Sequence, residues 1–365
     1  MKKLFFLLAF ISGICQGQAQ QLKGKVIVER INSLALQNTG GENPVRRVTI
    51  YLPPEYDQTT NRYPVIYYLH GFTWNDSLQI AEDHFDLLLD KAITGGKIRP
   101  VIVVMPDQYT LYRGSFYTNS PLTGNWADFT AKELVNYIDG LYRTIPDKES
   151  RGITGHSMGG YGAIKLGMLF PEVFTSVYAL SPGALALFEE IGADGPAFRR
   201  AQSITSREEL ITGYNEFLAN VVVAMGQAYT PNASKPPFYC DFPFTYKGDS
   251  LVVNEEVLKV WNNNSPLYMV DQYAGNIRKL KALKLDWGRN EEFAFIPLTC
   301  KMFSEKLESL GINHYAEEYI GTHGNKLWTE DGRALNDMLP FFDTYLRFEE
   351  LKSKTTRSSK KSKKK

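Results

Sequence analysis

Between the β-rich run Arg151–Thr154 and a helical stretch that begins near Met158 stands Gly155-His156-Ser157-Met158-Gly159-Gly160. A G-x-S-x-G pentapeptide in that position forces a sharp strand-to-helix turn, because only glycines flanking the serine let strand and helix approach so closely. The turn predicts Ser157 above the edge of a sheet with its Oγ exposed, at the positive end of the following helix. The rest of the chain supplies a sheet to carry it. Lys25–Ile31 and Val45–Leu52 read as early strands joined by a polar loop around Thr39-Gly40-Gly41. Val65–Leu69 and Val101–Met105 are continuous apolar runs of the kind buried on both faces. Leu78–Ile93 and Trp126–Tyr142 have helical spacing, and Phe174–Leu180 is a further strand. Such alternation predicts an α/β domain with a mostly parallel sheet and helices on both faces.

The alternation lapses from about residue 183 to 280, which carries Pro196, Pro231, Pro236, Pro237, Pro243 and Pro266 and aromatic clusters. This length is read as a cap-like insertion, since long excursions in compact folds are usually functional. Alternation resumes with Ala282–Trp287, Lys301–Leu310, His314–Ile320 and a helix from about Glu330 to Leu346.

The ends differ from the body. Met1-Lys2-Lys3, the apolar run Leu4–Ile14 and Gly17-Gln18-Ala19 read as a signal peptide over residues 1–19, cleaved after Ala19. Residues 351–365 form a basic tail expected to be disordered, leaving a catalytic domain over 20–350. Setting aside the ten Lys and Arg at the two ends leaves 31 basic residues against 40 acidic, a net of −9. That sign argues against nucleic-acid binding, and no later run has the length to span a membrane. The leader implies a secreted or periplasmic protein. Beyond it only Cys240 and Cys300 remain, enough for one disulfide but not for a disulfide framework or a zinc site.

A serine nucleophile needs a base, and there are five histidines. His70 sits in a strand-ending turn, His84 on a helix, His156 beside the serine, and His314 at the wrong end of a strand. His323, in Gly321-Thr322-His323-Gly324 past a strand's carboxyl end, is the expected base. Oxyanion donors are expected at the N–H of Met158 and at Phe72 in Leu69-His70-Gly71-Phe72. The acid should follow Ala282–Trp287, in Gly288-Arg289-Asn290-Glu291-Glu292-Phe293. Glu291 is favoured, with Glu292 as the alternate; Asp286 lies within the strand. Trp74, Tyr117 and Trp126 are candidate substrate-binding walls, although aromatics equally serve a core.

Tyr63–Phe72, Val104–Asp107, Gly155–Gly162 and Gly321–Gly324 together resemble the esterase D and feruloyl esterase-like family of α/β-hydrolases. The resemblance runs from about residue 25 to 345 outside the insertion. It implies an eight-stranded α/β-hydrolase sheet, a Ser–acid–His triad without metal or organic cofactor, and Phe72 and Met158 as oxyanion donors. A glycine followed three residues later by a carboxylate is the family's acid pattern, and counting from Gly288 gives Glu291. The departures are the long insertion, a Glu-Glu pair at the acid position and the basic tail. The expected function is a secreted serine carboxylic-ester hydrolase acting through an acyl-enzyme, on small-molecule or polysaccharide-linked esters such as acetyl or feruloyl esters. The alternatives are an acyltransferase or a siderophore or thioester hydrolase of the same family, and a non-catalytic binding protein on a hydrolase scaffold.

Overall fold

The computed structural model describes residues 23–213 and 215–349. The expected signal peptide and basic tail lie outside the described residues. Eight strands form one sheet: β1 (Lys25–Asn32), β2 (Val45–Leu52), β3 (Val65–Leu69), β4 (Ile102–Pro106), β5 (Arg151–His156), β6 (Ser176–Leu180), β7 (Ala282–Gly288) and β8 (Tyr315–Tyr319). Their spatial order is β1-β2-β4-β3-β5-β6-β7-β8. β2 runs antiparallel to β1 and β4, and every other pair is parallel. Central strands are buried on both faces, which is why they read as continuous apolar runs. In β3, Val65, Tyr67 and Leu69 join one core cluster while Ile66 and Tyr68 join the other.

Two expected helices are broken. Leu78–Ile93 is two helices, Asp76–Ala81 and Phe85–Thr94, separated where His84 takes a left-handed conformation with φ 50°. Trp126–Tyr142 is continuous in path but widens into a π-type turn over Phe129–Glu133 before Leu134–Leu141.

The stretch expected to be one insertion has two structural fates. Helices Pro196–Ser203, Arg207–Thr212 and Phe217–Tyr229, the hairpin Phe244–Lys247/Ser250–Val253 and helix Glu255–Asn262 are elaborations. The last helix, Pro266–Ile277, instead packs on the helices Met158–Leu169 and Phe295–Ser309 that flank the sheet. It packs on the helix Met158–Leu169, which Asn276 Nδ2 and the preceding Asn264 carbonyl bind through Met168 O (2.9 Å) and Tyr161 OH (2.7 Å). Cys240 and Cys300 are both buried and both free, so the disulfide that the sequence allowed is not formed. Among the described residues no helix is long and apolar enough to cross a membrane.

Candidate active site

β5 ends at His156, and the chain turns into the helix Met158–Leu169 through a single residue. Ser157 holds φ 58° and ψ −116°, a conformation that L-residues adopt rarely and that the surroundings must enforce. Its N–H donates to Leu180 O at 2.9 Å, and its carbonyl accepts from Gly183 N–H at 3.0 Å. A Cβ at Gly155 would lie 2.4 Å from Leu69 O, and one at Gly159 only 1.9 Å from the same oxygen. Both glycines are therefore required by the close passage of the helix past β3.

The β3 turn is held beside the serine by buried polar contacts. His70 Nε2 accepts the Gln108 N–H at 2.8 Å, so its Nδ1 carries the proton and donates to Gly71 O at 2.9 Å. Burial lowers the pKa of His70, in keeping with a neutral ring. The Tyr117 hydroxyl donates to His70 O at 2.7 Å. The N–H groups of Phe72 and Met158 donate to no acceptor among the described residues. They are free for an oxygen that gains negative charge.

The loops after β7 and β8 are tied together. Arg289 N–H donates to Tyr319 O (2.7 Å) and Asn290 N–H to Gly321 O (2.8 Å). This pairing sets His323 Nδ1 at 2.8 Å from Glu291 Oε2. The Glu291 side chain is fully buried, and its second oxygen, Oε1, has no partner. The neighbouring Glu292 is exposed and accepts the His323 backbone N–H at 2.8 Å through Oε2. Asp286 lies inside β7, where it accepts from Tyr178 OH (2.6 Å) and Arg333 Nε (2.8 Å), away from the imidazole. Burial pushes its carboxyl up to about 6 despite that arginine. His156 Nε2 donates to His323 O at 2.8 Å, and burial, with the His323 ring beside it, pushes its pKa down to about 3.

Ser157 and His323 open onto one cleft of about 420 Å³, also lined by Gly71, Phe72, Trp74 and His156. No direct hydrogen bond joins the serine hydroxyl to the imidazole in this structure. Such contacts often tighten only when substrate is bound. Among the candidate walls, only Trp74 borders the cleft. Tyr117 and Trp126 are fully buried; Tyr117 braces the β3 turn, and Trp126 Nε1 donates to Thr123 Oγ1 at 3.3 Å. Residues not foreseen supply the other walls: Phe217 from the inserted stretch, Phe293 and Trp328. Phe293 directly follows the glutamate pair and Trp328 stands five residues past His323, so their place in sequence carried a signal. Phe217 carried none, because only tertiary folding brings it there. Phe217 stacks on Phe293 with centroids 5.4 Å apart. Among the described residues no group of three or more His, Cys, Asp or Glu could hold a metal ion.

Residues 42–342 match the family model described as "Putative esterase". An endo-1,4-beta-xylanase/feruloyl esterase of Xylanibacter ruminicola is 33% identical over 159 residues, which is 40% of this chain and 21% of that protein. An S-formylglutathione hydrolase of Paracoccus denitrificans is 30% identical over 182 residues, 44% of this chain and 63% of its own. The chain spans less than two thirds of the length of the curated relatives it matches here. A solved structure described as a ferulic acid esterase is similar with a TM-score of 0.60 at 22% identity, over 89% of this chain and 99% of that one. That likeness gives the sheet described above its name, the α/β-hydrolase fold.

Proposed function

The chain belongs to the Putative esterase family, and from that premise we propose that it is a secreted serine carboxylic-ester hydrolase that works through an acyl-enzyme. The observation that carries this reading is the Glu291–His323 hydrogen bond, 2.8 Å long, at the rim of the cleft that also exposes Ser157. In the proposed reaction Ser157 Oγ attacks the ester carbonyl carbon while His323 Nε2 takes the hydroxyl proton. The carbonyl oxygen becomes an oxyanion that accepts from the Phe72 and Met158 N–H groups. Collapse breaks the bond to the alcohol, which leaves with the proton from His323. Water, deprotonated by the same imidazole, then attacks the acyl carbon, and the bond to Ser157 Oγ breaks as the imidazolium returns that proton to Oγ and the acid leaves. Glu291 accepts the Nδ1–H throughout, which fixes the tautomer and stabilises the imidazolium.

The substrate we favour is an ester linked to carbohydrate outside the cell. It is supported by the signal-peptide-like sequence of residues 1–19, by the aromatic cleft and by the relative that carries a feruloyl esterase name. The S-formylglutathione hydrolase relative favours a thioester instead. Hydrolysis of p-nitrophenyl acetate by the wild type and by Ser157→Ala tests the mechanism. A loss of at least ~10³-fold in kcat is expected, and equal rates would overturn the reading. A panel of acetylated xylan, methyl ferulate, siderophore lactones and S-formylglutathione tests the substrate. Preference for the glutathione thioester would overturn the carbohydrate assignment while leaving the mechanism intact.

A further inference from the structure

The turn Gly71–Trp74, which carries the Phe72 N–H, is closed by the Trp74 N–H donating to Gly71 O at 3.1 Å, with Thr73 left-handed at φ 67°. A positive φ at the third residue alone makes it a type II turn, a form that favours glycine there and strains a β-branched threonine. The flipped central peptide is held by its N–H, which Thr73 donates to Arg113 O at 3.1 Å. Arg113 is itself left-handed, at φ 74°. The next residue, Gly114, lies so close to both donor residues that an added Cβ would meet Met158 Sδ at 2.5 Å and Phe72 Cδ2 at 2.6 Å. Two strained residues facing each other across one hydrogen bond persist only where the surroundings enforce them. The inserted stretch supplies those surroundings. The Arg113 guanidinium donates through Nη2 to Ile211 O, on the helix Arg207–Thr212. From the same helix, Arg207 Nε and Nη2 donate to Leu111 O at 3.0 and 2.8 Å. The Tyr112 hydroxyl donates to Pro237 O at 3.2 Å. Three consecutive residues are thus held by the insertion, and of these Arg113 is the one bonded to the oxyanion turn as well.

We propose that Arg113 is a positioning residue for the oxyanion hole, through which the inserted stretch fixes the aim of the Phe72 N–H. The inference rests on the esterase reading and deepens it. The peptide before Phe72 is pinned at its carbonyl, since Gly71 O accepts both the His70 Nδ1–H and the Trp74 N–H. The peptide after it is pinned at its N–H by Arg113 O. Phe72 sits between two fixed planes, so its own N–H has one direction. Release of the second plane lets the turn relax toward the type I form, which threonine adopts without strain, and Phe72 moves with it. An oxyanion donor acts on the tetrahedral species and hardly on the bound ester, so the loss falls on kcat and spares KM. Acylation and deacylation both pass through such a species, so either step reports the change.

The test sets Arg113→Met, which keeps the stem and removes the bond to Ile211 O, beside Arg113→Lys, which retains a donor, both in the full chain. With p-nitrophenyl acetate, kcat of Arg113→Met should fall at least about tenfold with KM within about twofold of wild type, and Arg113→Lys should recover most of the loss. A pair of ketones separates positioning from general damage. With 1,1,1-trifluoro-4-phenylbutan-2-one, Ser157 Oγ bonds to the carbonyl carbon, the π pair moves to oxygen as the oxyanion, and the hydroxyl proton passes to His323. The fluorine-free 4-phenylbutan-2-one fills the cleft without adding. In Arg113→Met the Ki of the first should rise by about the factor lost in kcat, and that of the second should stay within about twofold of wild type. If Arg113→Met does not fold, Arg207→Met opens the same latch from the other side and should show the same split between the ketones. Unchanged kcat in folded Arg113→Met would overturn the proposal. Equal weakening of both ketones, or a loss in Arg113→Lys as large as in Arg113→Met, would also overturn it. Absence of Ser157-dependent hydrolysis in the wild type would instead overturn the esterase reading itself.

Discussion

Glu291 and Glu292 are adjacent in sequence and opposite in circumstance. One buries its carboxylate against the His323 ring; the other lies in solvent and holds only the His323 backbone. Replacing Glu291 by Gln keeps its shape but removes the charge that stabilises an imidazolium, so kcat should fall at least ~10²-fold with KM little changed. Glu292→Gln should cost far less. Steady-state kinetics on both variants checks this, and a reversed order would move the acid by one residue. The count from Gly288 favoured Glu291, but which glutamate turns inward depends on the paired β7 and β8 loops, and this is a long-range contact absent from local pattern. His156 gives a pH effect whose sign can be worked out. Its folded value is about 3 against an ordinary 6.5. Between those values the unfolded chain binds the proton and the folded one does not, so stability falls as pH falls through that window. His156→Asn should be less stable at pH 7, having lost the bond to His323 O, yet lose less Tm between pH 7 and pH 4 than the wild type. Parallel Tm curves for the two proteins would contradict the assignment.

Glycines separate packing from propensity at the level of the element. Gly159 opens the helix Met158–Leu169 under Leu69 O, where an added Cβ meets backbone that cannot yield. Gly275 is exposed in Pro266–Ile277 with nothing within 4 Å of the same added atom. Gly159→Ala should destabilise by about 3 kcal/mol or more, and Gly275→Ala should stabilise by ~0.5–1 kcal/mol. Urea unfolding of the two variants checks both signs. The elbow was legible because its glycine spacing has one steric solution. The break at His84 was not, because the apolar spacing of Leu78–Ile93 continues unchanged across it. The helix Phe217–Tyr229 was missed for a different reason. Ala219–Tyr229 are buried all round, so the helix shows no one-sided stripe from which its period could be read.

For the molecule as a whole, the eight-stranded sheet was foreseeable and the walls of the cleft were not. Strand–helix alternation is written locally, whereas Phe217, Phe293 and Trp328 meet only when the insertion and two loops have docked. Sheet and insertion share one apolar cluster that contains both Cys300, on the helix Phe295–Ser309, and Cys240, in the inserted stretch. Neither sulfur is bonded to the other, so nothing covalent pins the described residues and their assembly does not wait on an oxidant. The same two atoms can be used as clocks. An alkylating reagent cannot reach a buried thiol until its surroundings open, so each site's modification rate, read by peptide mass spectrometry, times the opening of its own region. One shared cluster predicts equal rates at the two sites. Earlier modification of Cys240 would mean that the insertion lifts from the sheet as a separate unit.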